Sequence, residues 1–334
     1  MKILKTYPGD SHFHLFQQVI ETVYPSNMHR PESAESVNTD FLEECVVVLD
    51  DEIPVARAAL YHNPHLLYEG STTCSIGYYE SINNEVISKS MFSTLIESAR
   101  KLGAAYVIGP MNGSTWNDYR FSTHHNYPNF LLEPFHPLYY NDQFVSVGFL
   151  PISRYTSSKD TSLVYNQPSI LEKETTLKKL GVNFRGIDLN DFENELEKLY
   201  PFLLKAFEKN FLYTPISREA FFEKYRKASK LLDKDFVEVA VDSSGNLIGF
   251  VFSYRNFLNT SEMELVIKTL ARDPSKQWSG LGLVLANRIV GKAKNLGFTS
   301  IIHAFMIEEA TSTATSQNFM GNVYKNYVLY GLKL

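Results

Sequence analysis

The sequence is poor in cysteine: Cys45 and Cys74 are the only two among 334 residues. Each lies in an apolar or β-branched run that is typical of a strand. Neither belongs to a metal-ligand spacing, and a chain of this length does not need a disulfide framework to be stable. We therefore expect two reduced thiols in a cytoplasmic protein, and no metal site.

The sequence also has no uncharged apolar run long enough to cross a bilayer. Its first ten residues lack the apolar core of a signal peptide. These two absences predict a soluble protein without a membrane partner.

The sequence has no excess of positive charge either, since it contains 32 lysines and arginines and 37 aspartates and glutamates, with a formal net charge of −5. A protein whose main partner is nucleic acid usually has a basic face. The short run from Lys224 to Lys227 is predicted to be a solvated helix face. The charge balance therefore argues against a nucleic-acid partner.

What the sequence does contain is an internal repeat. The stretches 91–111 and 285–306 each read as an amphipathic helix, then Leu-Gly, then a short β-rich run. Gly103 and Gly297 fit the left-handed position that closes a helix, and they are 194 residues apart (297 − 103). The predicted apolar stripes are Ile87, Met91, Leu95 and Ala99 on the first helix, and Leu281, Leu285, Ile289, Ala293 and Leu296 on the second.

The same offset relates a turn at 50–51 to a turn at 244–245, and strand-like runs flank both turns. Two copies of one α+β unit would explain both correspondences, although strand–helix–strand patterns are common enough to coincide by chance. The stretch 156–169 is polar and turn-rich, as linkers tend to be. We therefore predict an α+β fold with two domains, residues 1–165 and residues 166–334.

A glycine-bearing loop in the second half carries the functional prediction. It follows a strand-like run and leads into the second repeat helix. The first N–H groups of a helix have no partners within the helix, and the helix dipole favours an anion there. Gly280 and Gly282 let the backbone approach a phosphate, and Gln277 can add an amide donor. The alternative is a glycine turn that only connects strand to helix.

The motif Gln277-x-x-Gly280-x-Gly282, in its strand–loop–helix setting, resembles the pyrophosphate loop of the GNAT superfamily of N-acyltransferases. The order of strands and helices around it is similar to that family in both halves. The resemblance implies two GNAT-like domains, each a twisted, mixed, mostly antiparallel sheet flanked by helices. It also implies that acetyl-CoA or another acyl-CoA binds as co-substrate, without a metal, to Leu270, Ala271, Arg272, Gln277, Trp278, Ser279, Gly280, Leu281, Gly282 and Leu283.

The first half departs from this motif. With the offset of 194, Gln277 corresponds to Asn83, Gly280 to Val86 and Gly282 to Ser88. The branched side chain of Val86 would stand where a backbone has to approach a phosphate. The first half is therefore predicted to be a degenerate copy, with one acyl-CoA site per chain, in the second half.

A polar and aromatic cluster follows the first repeat. It contains Trp116, Tyr119 and Arg120, and it comes directly after a strand-like run, where a loop can present side chains to a ligand. These three residues are predicted to bind the acceptor, with Arg120 meeting a carboxylate. The alternative is a surface loop that folds over its own aromatic rings.

The resemblance further implies direct transfer of the acyl group to an amine, with backbone N–H groups near Leu270 to Arg272 binding the acyl carbonyl. The family's general base is often a glutamate on the same strand, and Glu264 is the candidate here. The family's acid is a tyrosine on the last helix, but counting back from Gly321 gives Gln317. Tyr324 is the substitute candidate, with sheet packing as its alternative role.

The sequence therefore predicts an N-acyltransferase that moves an acyl group, acetyl being expected, from acyl-CoA to the amine of a small molecule or amino acid. Two alternatives stay open. One is a non-catalytic protein that binds or senses acyl-CoA, since the acid position is empty. The other is a transferase of the same fold that uses a charged tRNA, which the acidic charge balance disfavours.

Overall fold

The computed structural model describes residues 1–24, 37–308 and 321–334. Its fold is α+β, as predicted, with helices packed on both faces of a mixed and mostly antiparallel sheet. All fourteen described strands belong to this sheet or pair with its strands.

The first half contains eight strands and three helices within the described residues. They are β1 (Lys2–Thr6), α1 (Phe13–Val23), β2 (Leu42–Asp50), β3 (Ile53–Tyr61), β4 (Leu67–Tyr68), β5 (Ser71–Ser81), α2 (Glu85–Lys101), β6 (Tyr106–Gly109), β7 (Phe121–Ser122), α3 (Tyr139–Ser146) and β8 (Leu150–Asp160).

The second half contains six strands and four α-helices within the same described ranges. They are α4 (Pro168–Lys179), β9 (Asn183–Gly186), α5 (Phe192–Phe207), α6 (Arg218–Ala228), β10 (Val237–Val241), β11 (Leu247–Arg255), β12 (Glu264–Arg272), α7 (Leu281–Asn295), β13 (Ser300–Ile307) and β14 (Asn322–Lys333).

The predicted repeat is present in the strand pattern. In the first half, β2, β3 and β5 are antiparallel neighbours and β6 runs parallel to β5. In the second half, β10, β11 and β12 are antiparallel neighbours and β13 runs parallel to β12. The bounds of β3 and β11 differ by the predicted 194 residues at both ends.

The two repeat helices, α2 and α7, bury the predicted stripes with one exception. Leu296 was expected to be buried and is 51% exposed, because α7 ends at Asn295 and Leu296 is the capping residue that follows it. Gly103 and Gly297 have φ values of +76° and +85°, the left-handed conformation expected after a helix.

Helix α7 packs unusually close to the sheet. A Cβ at Gly249 of β11 would lie 2.9 Å from side-chain carbons of both Leu281 and Leu285. The absent side chain therefore lets the first turns of α7 rest directly on β11, which fixes the height of the loop that precedes the helix.

The two halves exchange their last strands. β8 of the first half lies between β13 and β14, and β14 of the second half lies between β8 and β6. Tyr330 pairs with Gly109 of β6, and Ile301 of β13 pairs with Asp160 of β8. Each parallel strand pair is thus extended by a strand from the other half. Residues 156–160 were expected to belong to a polar linker, but they form the second half of β8. The boundary at residue 165 stays a prediction.

A buried ion pair reinforces this exchange. Lys325 of β14 and Glu133, from the connection between β7 and α3, are both fully buried, and Nζ lies 3.0 Å from Oε2. Tyr327 donates its hydroxyl to the other carboxylate oxygen (2.9 Å), and Asn129 Oδ1 accepts a further bond from Lys325. Each charge therefore has partners in place of water.

Substitution Lys325→Met should lower the free energy of unfolding by about 3–5 kcal/mol, because it leaves the Glu133 charge buried without its partner. Urea unfolding of the whole chain measures this change. As a control, Lys227→Met breaks the exposed pair with Glu223 and should change the value by less than about 0.5 kcal/mol. Equal effects of the two substitutions would contradict the prediction.

Candidate functional site

The loop after β12 is held by short-range hydrogen bonds and one buried ring. Asp273 donates its N–H to Ile248 O (2.8 Å), and its carboxylate accepts the N–H of Ser275 (2.9 Å). The indole of Trp278 packs into the core beneath α7. Gln277 stays exposed between these anchors. The ends of the loop are thus fixed while its polar side chains face solvent.

Helix α7 begins without a side-chain cap. Gly280 precedes it with φ of +85°, and no side chain accepts a hydrogen bond at this end. The first bond of the helix joins Val284 N to Gly280 O (3.1 Å). The N–H groups of Leu281, Gly282 and Leu283 are therefore the donors that an anion can use.

The equivalent helix of the first half, α2, is capped by its own chain. The side-chain oxygen of Asn84 accepts the N–H groups of Val86 (3.0 Å) and Ile87 (3.3 Å). An asparagine in this position satisfies the donors that a phosphate would otherwise use. The two copies of the helix thus differ in whether their first turn is open.

The strand pair before the loop also opens in the second half. β12 pairs in parallel with β13 only from Glu264 to Ile267. Lys268 is then an extra residue, because Ile267 faces Ser253 whereas Thr269 faces Phe252 on β11. From this β-bulge to Arg272, β12 pairs with β11 alone among the described strands. The backbone edge predicted to bind an acyl carbonyl is therefore separated from β13.

The corresponding opening in the first half is filled. Asn112 Oδ1 accepts the N–H of Tyr78 on β5 (2.8 Å). A Cβ at Gly77 would lie 2.6 Å from that same oxygen, so the asparagine rests directly on the strand. The position that an acyl carbonyl would take between the strands is occupied by a side-chain amide.

We use the name lysine cleft for the region at the open end of the β12–β13 pair where Lys268, Lys224 of α6 and Asp118 of the first half lie close enough for their charges to interact. Burial and the ammonium of Lys224 lower the pKa of Lys268 to about 8, and Asp118 acts in the opposite direction. Lys224 is solvent-exposed, as expected of a solvated helix face.

Lys268 was not predicted from the sequence as a site residue. The one available signal was alternation, since it follows Glu264 and Val266 on the same side of β12. Alternation alone does not reveal that the strand bulges there, or that α6 and the first half converge on that point.

Trp116 and Arg120 connect the first half to this cleft. Trp116 donates its indole N–H to Thr214 O (2.8 Å) and packs against Phe221 of α6. The guanidinium of Arg120 lies 3.7 Å from the ring centre of Tyr119 and reaches Phe305 O on β13 (3.4 Å). The structure thus brings the predicted acceptor cluster to the cleft. The role of this cluster in binding stays a prediction. The guanidinium of Arg120 already contacts the Tyr119 ring and Phe305 O.

Glu264 lies at the far end of β12 from the loop. It is 2% exposed, and it accepts hydrogen bonds from Asn256 (2.6 Å) and Ser300 (3.1 Å). Lys159 of β8 lies 2.6 Å from its second oxygen. These partners are those of a structural carboxylate at the strand exchange, so the predicted role as general base has no support in this placement.

Tyr324 lies at the start of β14, in the same region as Glu264. Its hydroxyl donates to Pro128 O (2.9 Å), and its ring stacks on Tyr127 with 4.7 Å between ring centres. The structure therefore does not bring it to the loop before α7. Its role as acid stays a prediction, and Gln317 lies outside the described residues.

Over the ranges that the structure describes, no group of three or more potential metal ligands occurs. Cys45 and Cys74 are both buried and free. None of the described helices is long and apolar enough to cross a membrane.

Comparison with known proteins gives matches at the level of structure. No protein-family model and no curated protein matches the sequence. A probable N-acyltransferase from Enterococcus faecalis matches with a TM-score of 0.60 and 9% identity, over 100% of this chain and 73% of its own. A tandem GNAT protein from the clavulanic acid biosynthesis pathway matches with a TM-score of 0.54 and 11% identity, over 99% and 98%.

This chain has the tandem GNAT fold. A further match, with a TM-score of 0.58 and 12% identity, is a fungal multi-domain β-N-acetylglucosaminidase with a GCN5-related glucosamine N-acetyltransferase region, and this chain spans 38% of that protein's length. Within the tandem GNAT fold seen here, the loop of the second half is open and that of the first half is closed by asparagines.

Titration of coenzyme A into the protein should give one site per chain, because among the described helices only α7 offers an uncapped first turn next to an open strand pair. Isothermal calorimetry measures the stoichiometry directly. Two equivalent sites would contradict the assignment of the first half as a degenerate copy.

Proposed function

We propose that the protein is an acyl-CoA-dependent N-acyltransferase whose donor site lies in the second half. The observation that carries this proposal is the contrast between the two copies. The first turn of α7 is uncapped and β12 separates from β13, whereas Asn84 and Asn112 fill the same two positions in the first half. Selection for stability alone would favour filled positions in both copies.

The open first turn suits the diphosphate of a coenzyme A. The N–H groups at Leu281, Gly282 and Leu283 point out of the helix, where the dipole favours negative charge. The stem of Lys173 on α4 lies over Gly280, since a Cβ there would be 2.9 Å from it, and its ammonium end is exposed. Glu174 fixes α4 in this position through Arg288 (3.0 Å).

The open strand pair suits the thioester. The thioester supplies an activated acyl group, and the backbone donors between Lys268 and Arg272 can hold its carbonyl oxygen as negative charge develops there. The amine then has to enter from the opposite side of the sheet from α7, where the lysine cleft lies. In this arrangement, the donor and the acceptor approach the thioester from opposite faces of the sheet.

The acyl group is proposed to be acetyl, the acceptor a small-molecule amine or an amino acid, and the location cytoplasmic. The two buried free thiols are compatible with a reducing compartment. The acceptor loop is proposed to be the segment with Trp116, Tyr119 and Arg120, which borders the cleft.

Substitution Gly282→Asp should reduce the affinity for coenzyme A by at least about 100-fold, because a carboxylate in the first turn repels the diphosphate. Stability should stay the same or rise by about 0.3–1 kcal/mol, since an acidic side chain suits a helix N-terminus. There is room for the side chain, because a Cβ at this position would be 3.6 Å from Leu270. Calorimetry and thermal unfolding measure the two effects.

Val86→Asp is the matched control. Val86 occupies the second position of α2, as Gly282 does in α7, because the residues that precede the two helices, Asn84 and Gly280, are 196 residues apart (280 − 84) and not the 194 predicted from the sequence. Val86 is 67% exposed. This variant should bind coenzyme A like the wild type. Loss of binding in both variants, or in neither, would contradict a single site at α7.

Transfer itself is tested by incubating the protein with acetyl-CoA and a panel of amines, and by following the release of free thiol. Amine-dependent release that Gly282→Asp abolishes is the expected result. Tight binding of acetyl-CoA without release on any amine would instead favour the sensing protein that the sequence left as an alternative.

A further inference from the structure

We infer that Lys173 of α4 binds the diphosphate of the acyl donor, so that the helix connecting the two halves is part of the donor site. This inference rests on the proposed function, because it names a further binding residue of that same site. Helix α4 precedes β9 and has no counterpart among the described elements of the first half. The lysine therefore belongs to the connection between the copies and not to the repeated unit.

Helix α4 is fixed against α7 by packing and by charge. Its buried residues, Ile170 and Leu177, lie in the same hydrophobic cluster as the buried face of α7. The carboxylate of Glu174 lies 3.0 Å from the guanidinium of Arg288 on α7. The position of α4 relative to the start of α7 is therefore set by the fold.

The side chain of Lys173 crosses the residue that precedes α7. A Cβ at Gly280 would lie 3.0 Å from Cγ of Lys173, 2.9 Å from Cδ and 3.1 Å from Cε. The ammonium is one bond of about 1.5 Å beyond Cε, so it lies within about 5 Å of that same point. Gly280 thus lacks a side chain where the lysine stem passes, and a positive charge lies next to the first turn of α7.

A cation in this position is unfavourable when no anion is present, because the N-terminus of a helix carries the positive end of the helix dipole. The first turn of α7 contains no acidic residue that could offset it. The first turn of α2, in contrast, contains Glu85, the sign of charge that suits this end of a helix. The two copies therefore differ in the sign of the charge at the start of the equivalent helix.

The acidic residues closest in the chain to this site have other partners. Glu174 contacts Arg288, and Asp273, the one acidic residue between β12 and α7, lies 2.7 Å from the ammonium of Lys205. In the part of the chain that the structure describes, the side chain of Lys173 has no ion pair and no hydrogen bond. Its ammonium is therefore available to a ligand.

A diphosphate matches this combination of donors. Its two phosphate groups are both charged, so one can accept the N–H groups of the first turn while the other accepts the ammonium. The anion then lies between the helix end and the cation, which removes the unfavourable interaction of the ligand-free state. Lys173 is in this sense a residue that selects donors with a diphosphate.

The test compares coenzyme A with dephospho-coenzyme A, which keeps the diphosphate and lacks the 3′-phosphate. Binding of each to the whole chain is measured by calorimetry. Lys173→Met should weaken the binding of both ligands by about 10-fold, the effect of losing one charge-assisted hydrogen bond. Lys173→Arg keeps the positive charge and should retain most of the affinity for both.

Lys179→Met is the matched control, since it removes an exposed ammonium from the last turn of the same helix. This variant should bind both ligands like the wild type. Without ligand, Lys173→Met should unfold at the same temperature as the wild type or at a higher one, because it removes a cation from a helix N-terminus. A lower midpoint would instead indicate a structural role for the lysine stem and would contradict the inference.

The inference is overturned if Lys173→Met binds coenzyme A as tightly as the wild type, or if Lys179→Met loses as much affinity. It is also overturned if Lys173→Met weakens the binding of coenzyme A alone, because the lysine would then contact the 3′-phosphate. Failure of the wild-type protein to bind coenzyme A is a separate result, and it removes the proposed function itself. If the wild type binds, Gly282→Asp does not, and Lys173→Met is unchanged, only the role of Lys173 is wrong.

Discussion

The exchange of β8 and β14 is the constraint on which the rest of the structure depends. Because β14 joins β6 to β8 and β8 joins β14 to β13, one continuous sheet fixes the first half beside the open strand pair of the second. This fixed relation lets Trp116 bond to Thr214 and lets Asp118 approach Lys268. Two domains joined only by a linker would move relative to one another, and the cleft between them would have no defined shape.

Two side chains account for the difference between the closed first turn and strand pair of the first copy and the open ones of the second. Two asparagine side chains, from Asn84 and Asn112, satisfy the backbone donors that remain open in the second half. Each such bond contributes on the order of 1 kcal/mol to stability, so the first copy gains rigidity where the second keeps donors for a ligand. Under the proposed function, the first half is then a scaffold that lies beside the donor site.

Local features of this fold could be predicted from the sequence, whereas contacts between distant segments could not. The stripe at Ile87, Met91 and Leu95, the glycines that end both repeat helices, and the position of the loop before α7 follow from periodicity and backbone preference. The side chain of Asn112 fills the opening in the first half through a contact with Tyr78, 34 residues earlier. The bulge at Lys268 depends on the register of β12 with β11. Neither leaves a periodic signal. The strand exchange leaves none either, because the second half of β8 is a polar run that resembles a linker and β14 looks like an ordinary strand.

The exchanged strand also has a consequence for biosynthesis. The edge of β6 at Gly109 stays unpaired until its partner Tyr330 has been synthesised, 221 positions later (330 − 109). At ribosomal speeds of about 5–20 residues per second, that interval is on the order of ten to forty seconds. An unpaired strand edge is a template for wrong partners throughout that time. The nascent first half therefore exposes an unpaired edge for longer than a self-contained copy would.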